Sequence, residues 1–166
     1  IVALTAAAIV RLAPPAPFLP QQWHGKPIAG IQVCYSGANA AADLAPVHAL
    51  GNPIVDLVTP KPYTAVQSML NVMEPKWLHR YWKAEFLPGL SSEFLDAFRS
   101  SALRVTSPLS QSIIFHVAGA LNDHEGDDGA VGNRDAHYIG GFAATWPPGA
   151  PSDPHVAWAR DGWERI

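Results

Sequence analysis

The stretch HRYWKAEFLPGLSSEFLDAFRSSAL, residues 79–103, changes its hydrophobic period halfway along, and this change decides the fold. Its first part is rich in aromatic residues and suits a β-strand, in which successive side chains point to opposite faces of the sheet. Tyr81 and Lys83 therefore share one face, whereas Trp82 lies on the other. One of these faces can belong to the core, and the other then belongs either to a solvated surface or to the wall of a site.

The second part of the stretch predicts an amphipathic helix. Ser91 is a suitable N-cap, because its hydroxyl can accept a hydrogen bond from a backbone amide of the first turn. The apolar residues that follow recur at helical spacing and form one stripe: Phe94, Leu95, Phe98 and Ala102. A strand followed at once by an amphipathic helix indicates a fold in which helices cover a sheet.

Outward from this stretch, short apolar runs predict strands, and longer periodic or Ala-rich runs predict helices. The predicted strands are 4–12, 28–37, 53–60, 80–87, 112–119 and 135–146, and the predicted helices are 38–50, 62–71, 91–103 and 153–165. Pro46 should break or kink the first of these helices. The pair Gly140–Gly141 marks either a bulge or a close backbone approach. We predict one α+β domain over residues 1–166, with a largely antiparallel sheet and helices packed on one face.

The composition excludes several classes of protein. Hydrophobic residues make up 48% of the chain, which predicts a packed core. The net charge of −3 and the scattered basic residues predict no nucleic-acid partner. No apolar segment approaches the ~20 residues that span a membrane, and the opening IVALTAAAIVRL lacks a basic region and is interrupted by Arg11, so we expect a cytoplasmic protein without a membrane partner. The single cysteine, Cys34, is expected to be a small core residue of a strand.

The densest set of chemically active residues is AGALNDHEGDDGAVGNRDAHY, residues 118–138. Acidic, Gly-rich segments are common as solvated loops, and for most of these carboxylates we favour a hairpin loop with its tip at residues 125–129. The segment lacks the ligand spacing of a calcium loop and the paired histidines of a zinc site, so no metal is predicted. The chain also has no Gly-rich nucleotide-binding motif and no nucleophile elbow.

A series of segments, in a fixed order, resembles a known family. The strongest part is PYTAVQSML (62–70), then RYWKAEFL (80–87) and later AWARDGW (157–163). The other segments are WHGKPIAGIQVCYSG, ALGNPIVDLVTPK, SPLSQSIIFHVAGAL and NRDAHY. Over nearly its whole length the chain resembles the substrate-binding portion of FAD-linked oxidases of the berberine-bridge-enzyme-like (BBE-like) type, in the vanillyl-alcohol-oxidase superfamily.

The resemblance implies FAD as the cofactor of the full-length protein. In the family, an N-terminal domain holds the FAD pyrophosphate and a C-terminal segment returns to the flavin, and these 166 residues contain neither. We therefore expect that the chain alone does not bind FAD and is catalytically silent. Two departures from the family pattern concern the site: Ala118–Gly119 stands where two glycines are usual, and Asn133–Arg134 stands where His-Arg is usual. The second departure puts a hydrogen bond to the flavin or the substrate in doubt.

The resemblance also implies the site residues. Asp123 stands where plant-type relatives have a catalytic carboxylate and is the candidate general base, which would take a substrate hydroxyl proton as hydride leaves; the alternative is an exposed loop acid. The candidate substrate-binding residues are Tyr81, Lys83, Asn133, Arg134 and Tyr138. On the strand, Tyr81 or Lys83 would line the substrate cavity while Trp82 packs under the helices; the alternative is that these residues serve the fold alone.

Two functions remain open from the sequence. The first is the substrate-binding part of an FAD-dependent oxidoreductase that oxidises a small-molecule alcohol, sugar or alkaloid-like substrate by hydride transfer to flavin. The second is a stand-alone, non-catalytic binding or structural domain derived from such an oxidase. In the first case the missing FAD-binding domain closes one face of the sheet. In the isolated chain that face should be unusually apolar and should favour a homo-oligomer.

Overall fold

A computed structural model describes residues 3–69, 71, 75–124 and 129–166. The strands are β1 (Leu4–Leu12), β2 (Pro27–Tyr35), β3 (His79–Leu87), β4 (Gln111–His116) and β5 (Tyr138–Trp146). They form one sheet in the order β2–β1–β4–β5–β3, and every neighbouring pair is antiparallel. The α+β class with an antiparallel sheet, predicted from the sequence, is confirmed.

The helices separate the strands along the chain. They are α1 (Ala40–Asp43), α2 (Ala45–His48), α3 (Tyr63–Ser68), α4 (Ser92–Ala102) and α5 (Asp153–Trp163), with a short 3-10 turn at Gln21–Trp23. Pro46 lies in the first turn of α2, where its missing N–H costs no helical hydrogen bond. The helix predicted over 38–50 is therefore divided in two, as the proline indicated.

Helices α4 and α5 cover one face of the sheet, which we call the helix face. Ser91 caps α4 as predicted, because its Oγ accepts a hydrogen bond from the Phe94 amide at 3.1 Å. Of the predicted stripe, Leu95 is 45% exposed, while the other three residues are buried. The core cluster joins these helices to β3, β4 and β5: Leu87, Phe94, Phe98, Ile114, Phe142, Ala144, Trp146, Trp158 and Ala159.

The alternate residues of each strand lie on the opposite face, which we call the open face. None of the core cluster's strand residues lies there. The strands place on it Thr5, Ala7, Ile9 and Arg11 of β1; Ile28, Gly30, Gln32 and Cys34 of β2; Arg80, Trp82, Ala84 and Phe86 of β3; Gln111, Ile113 and Phe115 of β4; and Ile139, Gly141, Ala143 and Thr145 of β5. This is the face that the sequence analysis expected to be unusually apolar, an expectation that stays a prediction.

The glycine pair of β5 allows a close approach of neighbouring chain. The register of β5 with both neighbours is continuous, so the pair does not form a bulge. A Cβ added at Gly141 would lie 2.5 Å from the backbone oxygen of Lys83, and one at Gly140 would lie 2.9 Å from the ring of Phe94. Glycine thus lets β3 and α4 pack directly against β5.

Three expectations from the sequence are wrong. The segment 53–60, predicted as a strand, has no regular structure, because a proline at each end limits ladder hydrogen bonding. Helix α3 buries none of its residues, so the helical layer consists of α4 and α5, and residue 70 of the predicted helix lies outside the described residues. Cys34, predicted to be a core residue, is exposed because β2 is an edge strand and its open-face side chains face solvent.

Candidate functional site

The open face carries three partly exposed aromatic rings, two of them at one end and the third toward the other. Phe86 of β3 and Phe115 of β4 lie level with each other across Ile139 of β5. Trp82 lies farther along β3 and is 53% exposed, while Phe86 and Phe115 are 38% and 36% exposed. Three partly exposed aromatic rings on one sheet face are unusual for a solvated surface and typical of a binding site or an interface.

The other end of the open face is polar. Arg11 of β1 pairs with Gln111 of β4, which lies level with Trp82 of β3 across Ala143 of β5. The Nη2 of Arg11 donates to the backbone oxygen of Pro108 at 3.4 Å. A shallow cleft of about 210 Å³ lies at this end, lined by Ile9, Arg11, Ile28, Gly30, Ile31 and Gln32.

The loop between β4 and β5 is organised by Asn122, a residue that the sequence analysis did not single out. Its Nδ2 donates to the backbone oxygens of Arg134 and Ala136, at 2.5 and 2.9 Å, and its Oδ1 accepts from the Gly119 amide at 3.0 Å. One side chain thereby ties the two arms of the loop together. The sequence signal that could have found Asn122 is its position three residues after Gly119, because Asn side chains commonly bond to nearby loop backbone.

Three of the predicted site residues lie in this loop. Asp123 directly follows Asn122 and is exposed, and Asn133 is exposed on the other arm. Arg134 is half-buried, and its Nη1 donates to the backbone oxygen of Leu121 at 3.4 Å. The bonds of Asn122 bring these residues into one loop, although residues 125–128, most of the predicted tip, lie outside the described residues.

Tyr138 lies at the root of the same loop, as the first residue of β5. It pairs with Leu87 on one side and with His116 on the other, and its ring centroid lies 5.4 Å from that of His116. It is half-buried on the helix face. Beside His116 a second cleft, of about 350 Å³, is lined by Leu4, Thr5, His116, Ala118, Gly119, Ala120 and Leu121.

Tyr81 and Lys83 lie on the helix face, where they contact α5. The Tyr81 hydroxyl accepts a hydrogen bond from Arg160 Nε at 2.9 Å, and this bond raises the pKa of Arg160 above its ordinary value. The Lys83 ammonium lies 3.5 Å from the ring centroid of Trp163, a close cation–π contact. Both side chains thus join β3 to the C-terminal helix.

The two faces of β3 are therefore the reverse of the arrangement expected from the sequence. Trp82, predicted to pack under the helices, lies exposed on the open face. Lys83 lies level with Phe142 and Tyr81 with Ala144. At strand spacing these positions are about 13 and 20 Å from Tyr138, where the loop begins. They do not share one site with the loop residues, and their part in substrate binding stays a prediction.

The described part of the chain contains no group of three or more metal-ligating side chains. No helix in those ranges has the length and apolar character needed to cross a bilayer.

Comparison with solved structures identifies the fold. BBE-like number 28 from Arabidopsis thaliana superimposes with a TM-score of 0.65 at 11% identity, covering 98% of this chain and 36% of that one. Aclacinomycin oxidoreductase gives a TM-score of 0.65 at 13% identity, covering 98% of this chain and 32% of that one. No family model and no curated sequence matches. The chain has the fold of a part of these proteins and spans about a third of their length.

Proposed function

We propose that this chain is the substrate-binding domain of a BBE-like, FAD-linked oxidoreductase, with its open face turned toward a flavin carried by another part of the protein. The observation that carries the proposal is the asymmetry of the sheet. Helices α4 and α5 cover one face, while the other presents Trp82, Phe86 and Phe115 partly exposed. The likeness of 98% of the chain to about a third of two larger proteins, one of them named as an oxidoreductase, supports this arrangement.

Neither of the two long helices among the described residues offers an acid-free N-terminus, since Glu93 and Asp153 occupy the first turns of α4 and α5. A cradle for the pyrophosphate needs backbone amides at a helix N-terminus and no acid beside them. Helix α5 follows Gly149, whose φ is +87°, but Asp153 occupies its first turn. Within this proposal we therefore assign FAD binding to another part of the protein.

In this arrangement the chain's own residues orient the substrate and handle one proton. The bound flavin would supply the hydride acceptor. The open face would hold the substrate and exclude water from it, since its rings remove the reacting carbon from solvent. As the C–H electron pair leaves with the hydride, the electron pair of the O–H bond would form the second bond of C=O, and the Asp123 carboxylate would accept the released proton. Asn122 would position that carboxylate through the loop bonds described above.

A second candidate function is a non-catalytic domain that retains the fold without the chemistry. The exposure of Asp123 favours it, because a general base works best shielded from water. The pairs Ala118–Gly119 and Asn133–Arg134, which depart from the family pattern, favour it too.

Purification of the protein encoded by the complete reading frame tests the two functions against each other. The oxidoreductase proposal predicts FAD bound near one per chain, with the flavin absorption band bleached anaerobically by a substrate alcohol. The 166-residue chain purified in parallel is the control and should be colourless. A complete protein that carries no flavin would contradict the oxidoreductase proposal and leave the non-catalytic domain.

A further inference from the structure

Strand β2 lies at one edge of the sheet, and half of its backbone groups point away from β1. Just outside the two strands, the Ser36 amide donates to the Ala3 oxygen at 3.0 Å and the Ala13 amide donates to the Lys26 oxygen at 2.8 Å. In the continuous register these bonds assign the even-numbered residues of β2 to the ladder with β1. The odd-numbered residues therefore direct their backbone groups outward, and no hydrogen bond among the described residues satisfies the amides of Ala29, Ile31 and Val33.

This edge lacks the features that protect strand edges from pairing. Natural proteins usually protect an edge with charged side chains, an internal proline or a bulge. The nine residues of β2, PIAGIQVCY, include no charged residue, their register with β1 is continuous, and Pro27 is the first of them. The opposite edge strand, β3, carries Arg80, Lys83 and Glu85. Of the two edges, β2 is therefore the one to which a further strand can add.

The outer edge of β2 is complementary to itself. A second, antiparallel copy related by a two-fold axis at Ile31, the middle residue, pairs all nine residues of β2. Ile31 then lies opposite Ile31 of the second copy, and Ala29 lies opposite Val33. All three residues direct their backbone groups outward, so these positions form hydrogen-bonded pairs. The pairing also covers the Ile31 side chain, which is 49% exposed.

The side chains on the other face of β2 fit the same register. Gln32 lies opposite Gly30 of the second copy, and Cys34 lies opposite Ile28. A Cβ added at Gly30 would meet no atom within 4 Å, so there is room for the Gln32 side chain. The core cluster contains no residue of β2, so the packing of α4 and α5 does not close this edge.

We propose that the outer edge of β2 binds β2 of a second copy of this chain, so that two five-stranded sheets join into one across a two-fold axis. Backbone hydrogen bonds hold the two strands together, and the uncharged side chains let two identical edges meet without repulsion. A second copy also matches β2 in length and twist. The pairing uses the strand edge and not the open face, so it does not depend on the proposed function.

Disulfide trapping in the full-length protein tests the pairing and its register. Ile28→Cys places a thiol opposite Cys34 of the second copy, in a non-hydrogen-bonded pair whose Cα atoms are about 4.5 Å apart, a distance that a disulfide spans. Within one chain the two positions are about 20 Å apart along β2 and cannot be bridged. We expect mild oxidation to give a covalent dimer with this disulfide, located by mass spectrometry.

The double variant Ile28→Cys/Cys34→Ser is the control for trapping and should lose this disulfide. In the wild type the Cys34 side chains of the two copies are also about 20 Å apart in this register, so they should not bond to each other. Absence of the trapped disulfide in Ile28→Cys, or a disulfide between two Cys34 residues in the wild type, would overturn the proposal.

Light scattering of the full-length protein over a concentration series measures the dimer without a new thiol. The mass should rise from one chain toward two. Ile31→Lys sets two like charges against each other at the two-fold axis and should keep the protein monomeric. Leu95→Lys is the matched control, because it adds the same charge at a side chain of similar exposure on α4 and should leave the dimer intact. A monomer at every concentration, or an undiminished dimer in Ile31→Lys, would contradict the proposal.

Discussion

Asn122 shows how one side chain can set the position of several polar groups. Its amide bonds to both arms of the β4–β5 loop, so Asp123 and Arg134 are held near the root of β5. Hydrogen bonds from a side chain to the backbone replace the ladder bonds that a loop lacks. In the proposed function Asp123 would be the reacting group, and Asn122 would set its position.

Under the proposed function, Asp123→Asn in the full-length protein is expected to lower turnover by about 10²–10⁴-fold, because an amide cannot take up the substrate proton. The thermal unfolding midpoint should stay unchanged, since the residue is exposed in a loop. Steady-state kinetics beside a melting curve measures both. Unchanged turnover would remove Asp123 from the catalytic residues and leave it a loop acid.

The burial of His155 leads us to predict that folding stability depends on pH. It is buried in α5, its Nδ1 lies 2.8 Å from Thr106 Oγ1, and burial lowers its pKa from the ordinary value of 6.5. The unfolded chain therefore binds a proton more readily than the folded one. The stability that this residue contributes is present above pH 6.5 and is lost as the pH falls through 6.5 toward the lower folded pKa.

Urea unfolding midpoints at neutral and mildly acidic pH measure this effect. The midpoint should fall on acidification, and His155→Gln should reduce that fall. The exposed His137, replaced in the same way, is the control and should leave the fall unchanged. An identical pH dependence in His155→Gln and the wild type would contradict the assignment.

At the scale of elements, the tight contact between β3 and β5 is the feature most sensitive to substitution. Gly141→Ala would place a methyl group against the backbone of Lys83 and Ala84. We expect a loss of about 1–3 kcal/mol in the free energy of unfolding, as in overpacked cores. Gly30→Ala is the matched control within the same sheet, where the added methyl meets nothing, and should change stability by less than about 0.5 kcal/mol. Equal effects of the two substitutions in denaturant titrations would show that close packing is not the cause.

Elements with strong local signals could be predicted from the sequence, and those that depend on distant partners could not. For helix α4 the sequence predicted a cap and an apolar stripe, and the structure has the cap and three of the four stripe residues buried. The segment 53–60 is as apolar as a strand. A strand also needs a second strand to pair with, and the local sequence does not show whether one is present. For β3, the sequence predicted that Tyr81 and Lys83 share one face and Trp82 lies on the other. It did not predict which of the two faces the helices cover. Tyr81 and Lys83 lie on the helix face because Arg160 and Trp163 of α5 meet them there.

At the scale of the whole molecule, the open face has the apolar character of a surface that another body covers. Trp82, Phe86 and Phe115 form its exposed aromatic part, and monomers rarely expose contiguous apolar patches beyond a few hundred Å². The isolated chain is therefore expected to self-associate through this face. Light scattering over a concentration series should show a rising mass, and Phe115→Arg should reduce the association. A strict monomer at high concentration would contradict this expectation.

The central claim, that a flavin-carrying part of the longer protein covers the open face, is tested most directly by hydroxyl-radical footprinting with mass spectrometry. The measurement compares side-chain oxidation in the flavin-loaded full-length protein and in the isolated chain at a concentration where it is monomeric. We predict strong protection of Trp82, Phe86 and Phe115 in the full-length protein. Leu95 and Leu103, 45% and 52% exposed on and just after α4, should be oxidised equally in both. Equal oxidation of the three aromatic residues in the two samples would contradict the claim.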